Sequence, residues 1–189
     1  MAIHAGRHLF GPESGRITLR TSRDGLVAQA GHDLTIDAGQ WSGEVIVAAD
    51  LSATSLQVTV DLRALVVTAG TGGIKPLTEH DKREIIVTAR KVLAADRYPD
   101  ATFTATSFEP SGDGGTIFGT LSLAGQSRPA RLEVSQTAAG RYRATGTIRQ
   151  TDYGIKPYSA FLGSLKVSDA VQVEVDLDLS HATGPGSAT

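Results

Sequence analysis

Five histidines, at positions 4, 8, 32, 80 and 181, are the side chains best able to hold a metal ion, and their spacing gives no site. His4 and His8 stand four apart, which brings two imidazoles together on a helix, and no helix signal surrounds them. His32 opens an alternating run beside Asp33, far along the chain from His80 and His181. Solvated or capping roles account for all five. The carboxylates fare no better as acid and base: Glu174, Asp176 and Asp178 sit at every second position of a run whose other positions are apolar. A wet strand face explains them. There is no Gly-x-Ser-x-Gly elbow and no His-Glu-x-x-His pair, and Gly70-Thr71-Gly72-Gly73 matches neither a dinucleotide-binding nor a phosphate-binding loop. With no cysteine, disulfides and thiolate metal sites are excluded. The expectation is a protein without catalysis, metal or cofactor.

The elements that would position any site are strands. Ile17 to Arg20, Leu56 to Leu62 and Val171 to Leu179 alternate apolar and polar residues, the period of a half-buried strand. Further strands are expected over Thr102 to Phe108, Thr116 to Leu123, Arg128 to Val134 and Arg141 to Arg149. Turn residues separate them at Ser111 to Gly115, Gly125 to Ser127 and Ala138 to Gly140. The run from His32 to Ala49 changes phase: Leu34 and Ile36 are apolar in even register, Trp41, Val45 and Val47 in odd register. Either a turn lies near Gly39 or one long strand carries a bulge there. Parity favours the bulge, because eight strands close an antiparallel up-and-down barrel and nine do not.

One helix is expected at residues 79–94, in the connection before Tyr98-Pro99. Thr78 can cap it with Asp81 three residues on. Ile85, Ala89, Val92 and Leu93 then form an apolar stripe, read as packing against the barrel. The chain of 189 residues reads as one domain over 1–180, with a small polar tail at 181–189 expected to be disordered. Net charge is −2 with no basic block, so no nucleic-acid partner is expected. No run approaches the ~20 apolar residues of a membrane span. The first residues lack the apolar core of a signal peptide, which points to the cytoplasm.

Small residues share faces with the large apolar ones. Gly43 is in phase with Val45 and Val47, Ala105 with Phe103, Gly119 with Leu121, Ala130 with Leu132, and Ala144 and Gly146 with Ile148. Such a barrel either holds a small ligand or interdigitates small with large side chains and is filled. On pattern alone the two readings stand level.

Four segments together resemble the YceI-like family of polyisoprenoid-binding proteins. They are Tyr98-Pro99-Asp100-Ala101-Thr102-Phe103, Gly119 to Gly125 with Arg128-Pro129, Asp152-Tyr153-Gly154-Ile155, and the closing strand from Asp169. The similarity runs from about Gly15 to Leu179 and is loosest between Thr71 and Asp96. It implies a lipocalin-like eight-stranded antiparallel barrel around an elongated apolar cavity, a long-chain isoprenoid ligand such as a prenyl quinone or polyprenol, and a possible homodimer. It carries no catalytic residues. Strand phase supplies the candidate lining: Leu34, Ile36, Val45, Val47, Val58, Val60, Phe103, Ala105, Gly119, Leu121, Leu132, Ala144, Ile148, Val173 and Val175. The alternative function is a structural or interaction module with a filled barrel.

In an eight-strand meander alternate links share an end. The links at Asp50 to Thr54, Glu109 to Gly115 and Ala138 to Gly140 fall at one end. The longer links at Arg23 to Gly31, Val66 to Asp100 and Gln150 to Ser168 fall at the other, where the ligand entrance is expected. Gly-Ile-Lys-Pro occurs twice, at Gly73 to Pro76 and Gly154 to Pro157, both in those longer links. Lys75 and Lys156 are either simply solvated or flank the mouth.

Overall fold

The computed structural model describes residues 5–48 and 53–179. The tail from His181 and most of the link from Asp50 to Thr54 lie outside them. In chain order the elements are β1 (Gly6–Phe10), β2 (Gly15–Thr21), β3 (Arg23–Asp24), β4 (His32–Ala38), β5 (Trp41–Val47), β6 (Ala53–Asp61) and β7 (Leu65–Gly72). There follow α1 (Glu79–Val92), β8 (Asp100–Ser111), β9 (Gly114–Leu123), β10 (Gln126–Ala138), β11 (Arg141–Arg149), β12 (Ser159–Ala160), β13 (Leu165–Val167) and β14 (Ala170–Asp178).

Eleven of the strands form one curled antiparallel sheet in the order β1-β5-β6-β8-β9-β10-β11-β14-β2-β4-β7. The eight-strand expectation is corrected here, and the extra strands have a common cause. Three long runs break and change hydrogen-bond partners midway. The run β1–β2 breaks at a short 3-10 turn, Pro12–Ser14. The run β6–β7 breaks at another, Leu62–Ala64, where Asp61 Oδ1 accepts from Arg63 N at 2.8 Å. The run β4–β5 breaks at Gly39 and Gln40. There β4 pairs with β2 and β7, whereas β5 pairs with β1 and β6. The phase change at Gly39 is therefore neither a hairpin nor a bulge within one ladder, but a corner. Gly39 N donates to Ala64 O at 2.9 Å, and Asp61 N donates to Gln40 O at 3.0 Å, so two corners are stitched together. Because each broken run has its halves near opposite edges of the sheet, the sheet must curl until those edges approach.

Local chemistry sets the remaining strands. In β14 the outward residues meet cross-strand partners: Asp176 accepts from Arg143 and Asp178 from Arg141 on β11, while Glu174 accepts from Arg20 on β2. Those contacts hold the alternating pattern with its polar side in water. The β9–β10 hairpin turns on Ala124 and Gly125, both at positive φ, as a two-residue type I′ loop requires. A register shift between Ala105 and Ser107 turns Phe108 to the face that Phe103 and Ala105 occupy earlier in β8.

The helix forms where the cap predicts it. Thr78 Oγ1 accepts from Asp81 N at 3.2 Å and Asp81 Oδ2 accepts from Thr78 N at 2.8 Å, a reciprocal capping box. It runs beside the edge strand β7: Lys82 Nζ reaches Thr68 O, and the Arg90 guanidinium reaches Arg63 O. A second small sheet, β12-β13-β3, is absent from the sequence reading. Its strands are two or three residues long, too short to show a period.

The corner at Gly39 yields a direct test. A Cβ there would stand 2.6 Å from Ala64 O, a backbone atom with little freedom. Gly39→Ala is expected to lower unfolding free energy by roughly 1–3 kcal/mol at unchanged m-value in urea. A neutral substitution would show that the corner has room.

Candidate functional site

The curled sheet surrounds a cavity of about 1100 Å³. Pockets for drug-sized molecules span about 300–1,000 Å³, so this one is large for the chain. Fourteen of the fifteen phase-assigned positions line it: Leu34 and Ile36 on β4, Val45 and Val47 on β5, Val58 and Val60 on β6, Phe103 and Ala105 on β8, Leu121 on β9, Leu132 on β10, Ala144 and Ile148 on β11, and Val173 and Val175 on β14.

Gly119 does not line it. A Cβ at Gly119 would lie 2.6 Å from the Phe103 ring, which occupies the space the glycine leaves. Gly43 likewise lies under the Phe10 ring, and a Cβ at Gly146 would meet Leu132 Cδ2 at 2.7 Å. Gly43 and Gly119 thus seat neighbouring rings, whereas Gly146 beside Leu132 also borders the cavity. The open volume has another origin. Ile36, Val45, Val47, Phe103 and Leu121 are buried, and Phe10 meets Trp41 edge-on at 6.1 Å. On the other side Leu132, Ala144, Ile148, Val173 and Val175 face inward yet stay only half-buried. The wall of β10, β11 and β14 is the less buried one, although Leu132, Ile148, Val173 and Val175 pack against the core and Leu34, Val58, Val60 and Ala105 elsewhere are half-buried too.

The helix supplies a further part of the wall. Ile85, Thr88, Ala89, Val92 and Leu93 line the cavity, so the stripe read as plain packing also bounds this space. Several other lining residues were missed. Thr21 continues the phase of Ile17 and Leu19, and Tyr142 and Val171 continue the phases of β11 and β14; phase alone could have found them. Phe108 was hidden by the bulge before it. Tyr158, Leu165 and Val167 lie in the connection after β11, where no strand period marks them.

One end of the cavity carries several polar groups. Thr21, Arg23, His32, Gln150 and Lys166 all line the cavity there. Thr21 Oγ1 is buried and, among the described residues, makes no hydrogen bond. Arg23 Nη1 donates to Gly31 O at 2.7 Å, and Gln150 Nε2 donates to Ser168 O at 2.9 Å. The connection between β11 and β14 is tied down. Asp169 accepts from Thr151 N at 2.8 Å, and that backbone bond leads the causes holding its carboxyl below the usual carboxylate range. Burial, then the neighbouring Asp152, pushes the Tyr153 hydroxyl up. Among the described residues no three His, Asp or Glu side chains converge to hold a metal.

Lys75 and Lys156 leave the sheet at this same end. Gly72, the last residue of β7, pairs with His32, the first of β4; Leu34 pairs with Thr21, and Arg149 at the close of β11 pairs with Ala170 at the start of β14. Both Gly-Ile-Lys-Pro segments therefore start from one end. Neither lysine lines the cavity; the Lys75 carbonyl instead lies 2.7 Å from His32 Nε2.

An all-β protein, with one curled antiparallel sheet around an apolar cavity and a helix in the cavity wall, has a lipocalin-like form. The chain belongs to the YceI-like domain family, whose model matches residues 16–179. A UPF0312 protein of Yersinia enterocolitica is 30% identical over 87 residues, which is 41% of this chain; the chain spans 45% of that relative's length. Among solved structures, BcnA of Burkholderia cenocepacia superposes with a TM-score of 0.59 at 16% identity, over 86% of this chain and 94% of that one. The YceI protein of Campylobacter jejuni gives 0.56 at 20% identity, over 75% and 81%. At these identities the two structures speak to the fold alone.

The two kinds of small residue predict opposite outcomes. Gly119→Ala is expected to destabilise by roughly 1–3 kcal/mol, because its Cβ meets the Phe103 ring and the Thr104 carbonyl. Ala144→Leu, on the open wall, is expected to stay within about 1 kcal/mol of the parent, since it fills space instead of displacing atoms. Urea unfolding of both variants checks the contrast, and equal large losses would show that the wall of β11 is already packed.

Proposed function

We propose that the cavity binds a long-chain apolar isoprenoid, of the prenyl quinone or polyprenol type, and that the protein acts as its carrier, buffer or sensor without chemical change. The observation that carries this reading is the half-buried inward face of β10, β11 and β14 beside a volume of about 1100 Å³. Apolar side chains exposed to an internal space are costly until something apolar covers them. Each methylene moved from water into such a space contributes about 0.8 kcal/mol, so a prenyl chain can be held with few polar anchors. Discrimination between chains differing by a few carbons is correspondingly weak.

A filled structural barrel is the competing reading. It accounts for the packed wall around Phe10 and Trp41 but leaves the cavity of about 1100 Å³ without a role.

Trp41 is the chain's single tryptophan and lines the cavity, so it reports occupancy. Titration with a prenyl quinone is expected to quench Trp41 fluorescence and saturate near one ligand per chain. Ala130→Phe combined with Ala144→Phe is expected to weaken that binding at least tenfold, by taking up volume on the open wall. Absence of saturable quenching in folded parent protein would refute the reading. Organic extraction of gently purified protein, followed by mass spectrometry, then identifies any ligand carried from the host.

A further inference from the structure

The end of the molecule that carries the polar part of the cavity also carries apolar side chains with nothing over them. Leu26 is 96% exposed, Leu162 109% and Ile74 81%. The three belong to one surface. Val27 N donates to Ser164 O at 3.0 Å, which sets the loop of Leu26 against the loop of Leu162. Across the same loop, Gly31 packs on Leu165, and neighbouring His32 lies 2.7 Å from the Lys75 carbonyl, next to Ile74.

Single exposed apolar residues are ordinary. Leu162 is not, because it sits at φ 55°, a left-handed conformation that bulky residues rarely adopt. It is held there with its whole side chain in solvent, where no internal packing accounts for it. Charge points the same way. Lys75, Lys156 and Lys166 form no ion pair among the described residues, whereas Arg20 on β2 and Arg141 and Arg143 on β11 are matched to carboxylates. At this end Asp33 and Asp169 are paired with Arg23 and Arg149 at 3.7 and 4.0 Å, which leaves Asp24 and Asp152 against the three lysines.

We infer that this end docks on an anionic lipid surface, with Leu26, Leu162 and Ile74 entering the acyl boundary and the three lysines meeting lipid phosphates. Apolar tips flanked by unpaired cations suit such a surface. The inference rests on the isoprenoid reading of the cavity: a ligand of that kind resides in lipid, and Tyr158, Leu165 and Lys166 join this surface to the cavity wall. Docking would set the cavity's polar end against the membrane.

Flotation with vesicles of phosphatidylcholine alone, and of phosphatidylcholine mixed with phosphatidylglycerol, tests it. The parent protein is expected to float with the mixed vesicles and to be released by salt. Leu26→Ser with Leu162→Gly is expected to lower partitioning at least roughly tenfold. Glycine also relieves the positive φ, so this variant should keep its fold, and its Trp41 quenching by prenyl quinone in vesicle-free buffer should match the parent. Lys75→Gln with Lys156→Gln is expected to lower partitioning roughly 30-fold. No flotation of the parent with mixed vesicles overturns the inference, as does undiminished flotation of the leucine variant. Sedimentation showing a parent dimer that the leucine variant loses would assign the patch to a second copy and overturn it too. In the parent protein, no flotation with saturable quenching removes docking alone, and flotation without quenching removes the cavity reading alone.

Discussion

A β-sheet leaves a row of unpaired backbone groups at each edge, and an enclosed space exists only if those edges are brought together or covered. Here the three corners at Pro12–Ser14, Gly39–Gln40 and Leu62–Ala64 do this. Each ends one half of a long run near one edge and starts the other half near the opposite edge. The chain connection thus forces the curl, and the bonds from Gly39 N and Asp61 N fasten it. The cavity, the placement of α1 beside β7 and the gathering of long connections at one end all follow from this curl.

Inside, packing is uneven. Phe10 over Gly43, Phe103 over Gly119 and the edge-on pair of Phe10 and Trp41 fill part of the interior. Close packing there leaves no room for a chain of carbons. Across the interior, Leu132, Ile148, Val173 and Val175 present branched side chains to an open volume, with Ala144 among them. The helix bounds the space through Ile85, Ala89 and Val92. The result is a slot with one packed wall, one more open wall, and Thr21, Arg23, His32, Gln150 and Lys166 at one end.

Much of this was legible in the residues. The alternation in Val171 to Leu179 carried both the strand and its inward face, because the period of two assigns every side chain once one is placed. Thr78 and Asp81 marked the helix start, since a capping box is a local interaction that needs no tertiary partner. The shared end of Lys75 and Lys156 followed from counting links, even though adjacent strands had been miscounted. What failed was non-local. A phase change at Gly39 looks the same for a turn, a bulge or a corner, and only pairing with distant strands separates them. Strand β7 was folded into a long connection because it pairs with β4 alone, at the sheet's edge. Gly119 was in phase, but phase cannot say which neighbour fills the space above a glycine; the Phe103 ring does.

In the proposed function the wall of β10, β11 and β14 holds a prenyl ligand. Methyl-resolved NMR of the folded protein, titrated with a prenyl quinone, measures it most directly. The account predicts saturating shift changes at the methyl groups of Leu132, Ile148, Val173 and Val175, with the outward methyls of Leu9 and Val66 unmoved. Shifts confined to outward methyls, or none on the inward wall at saturating ligand, would contradict it.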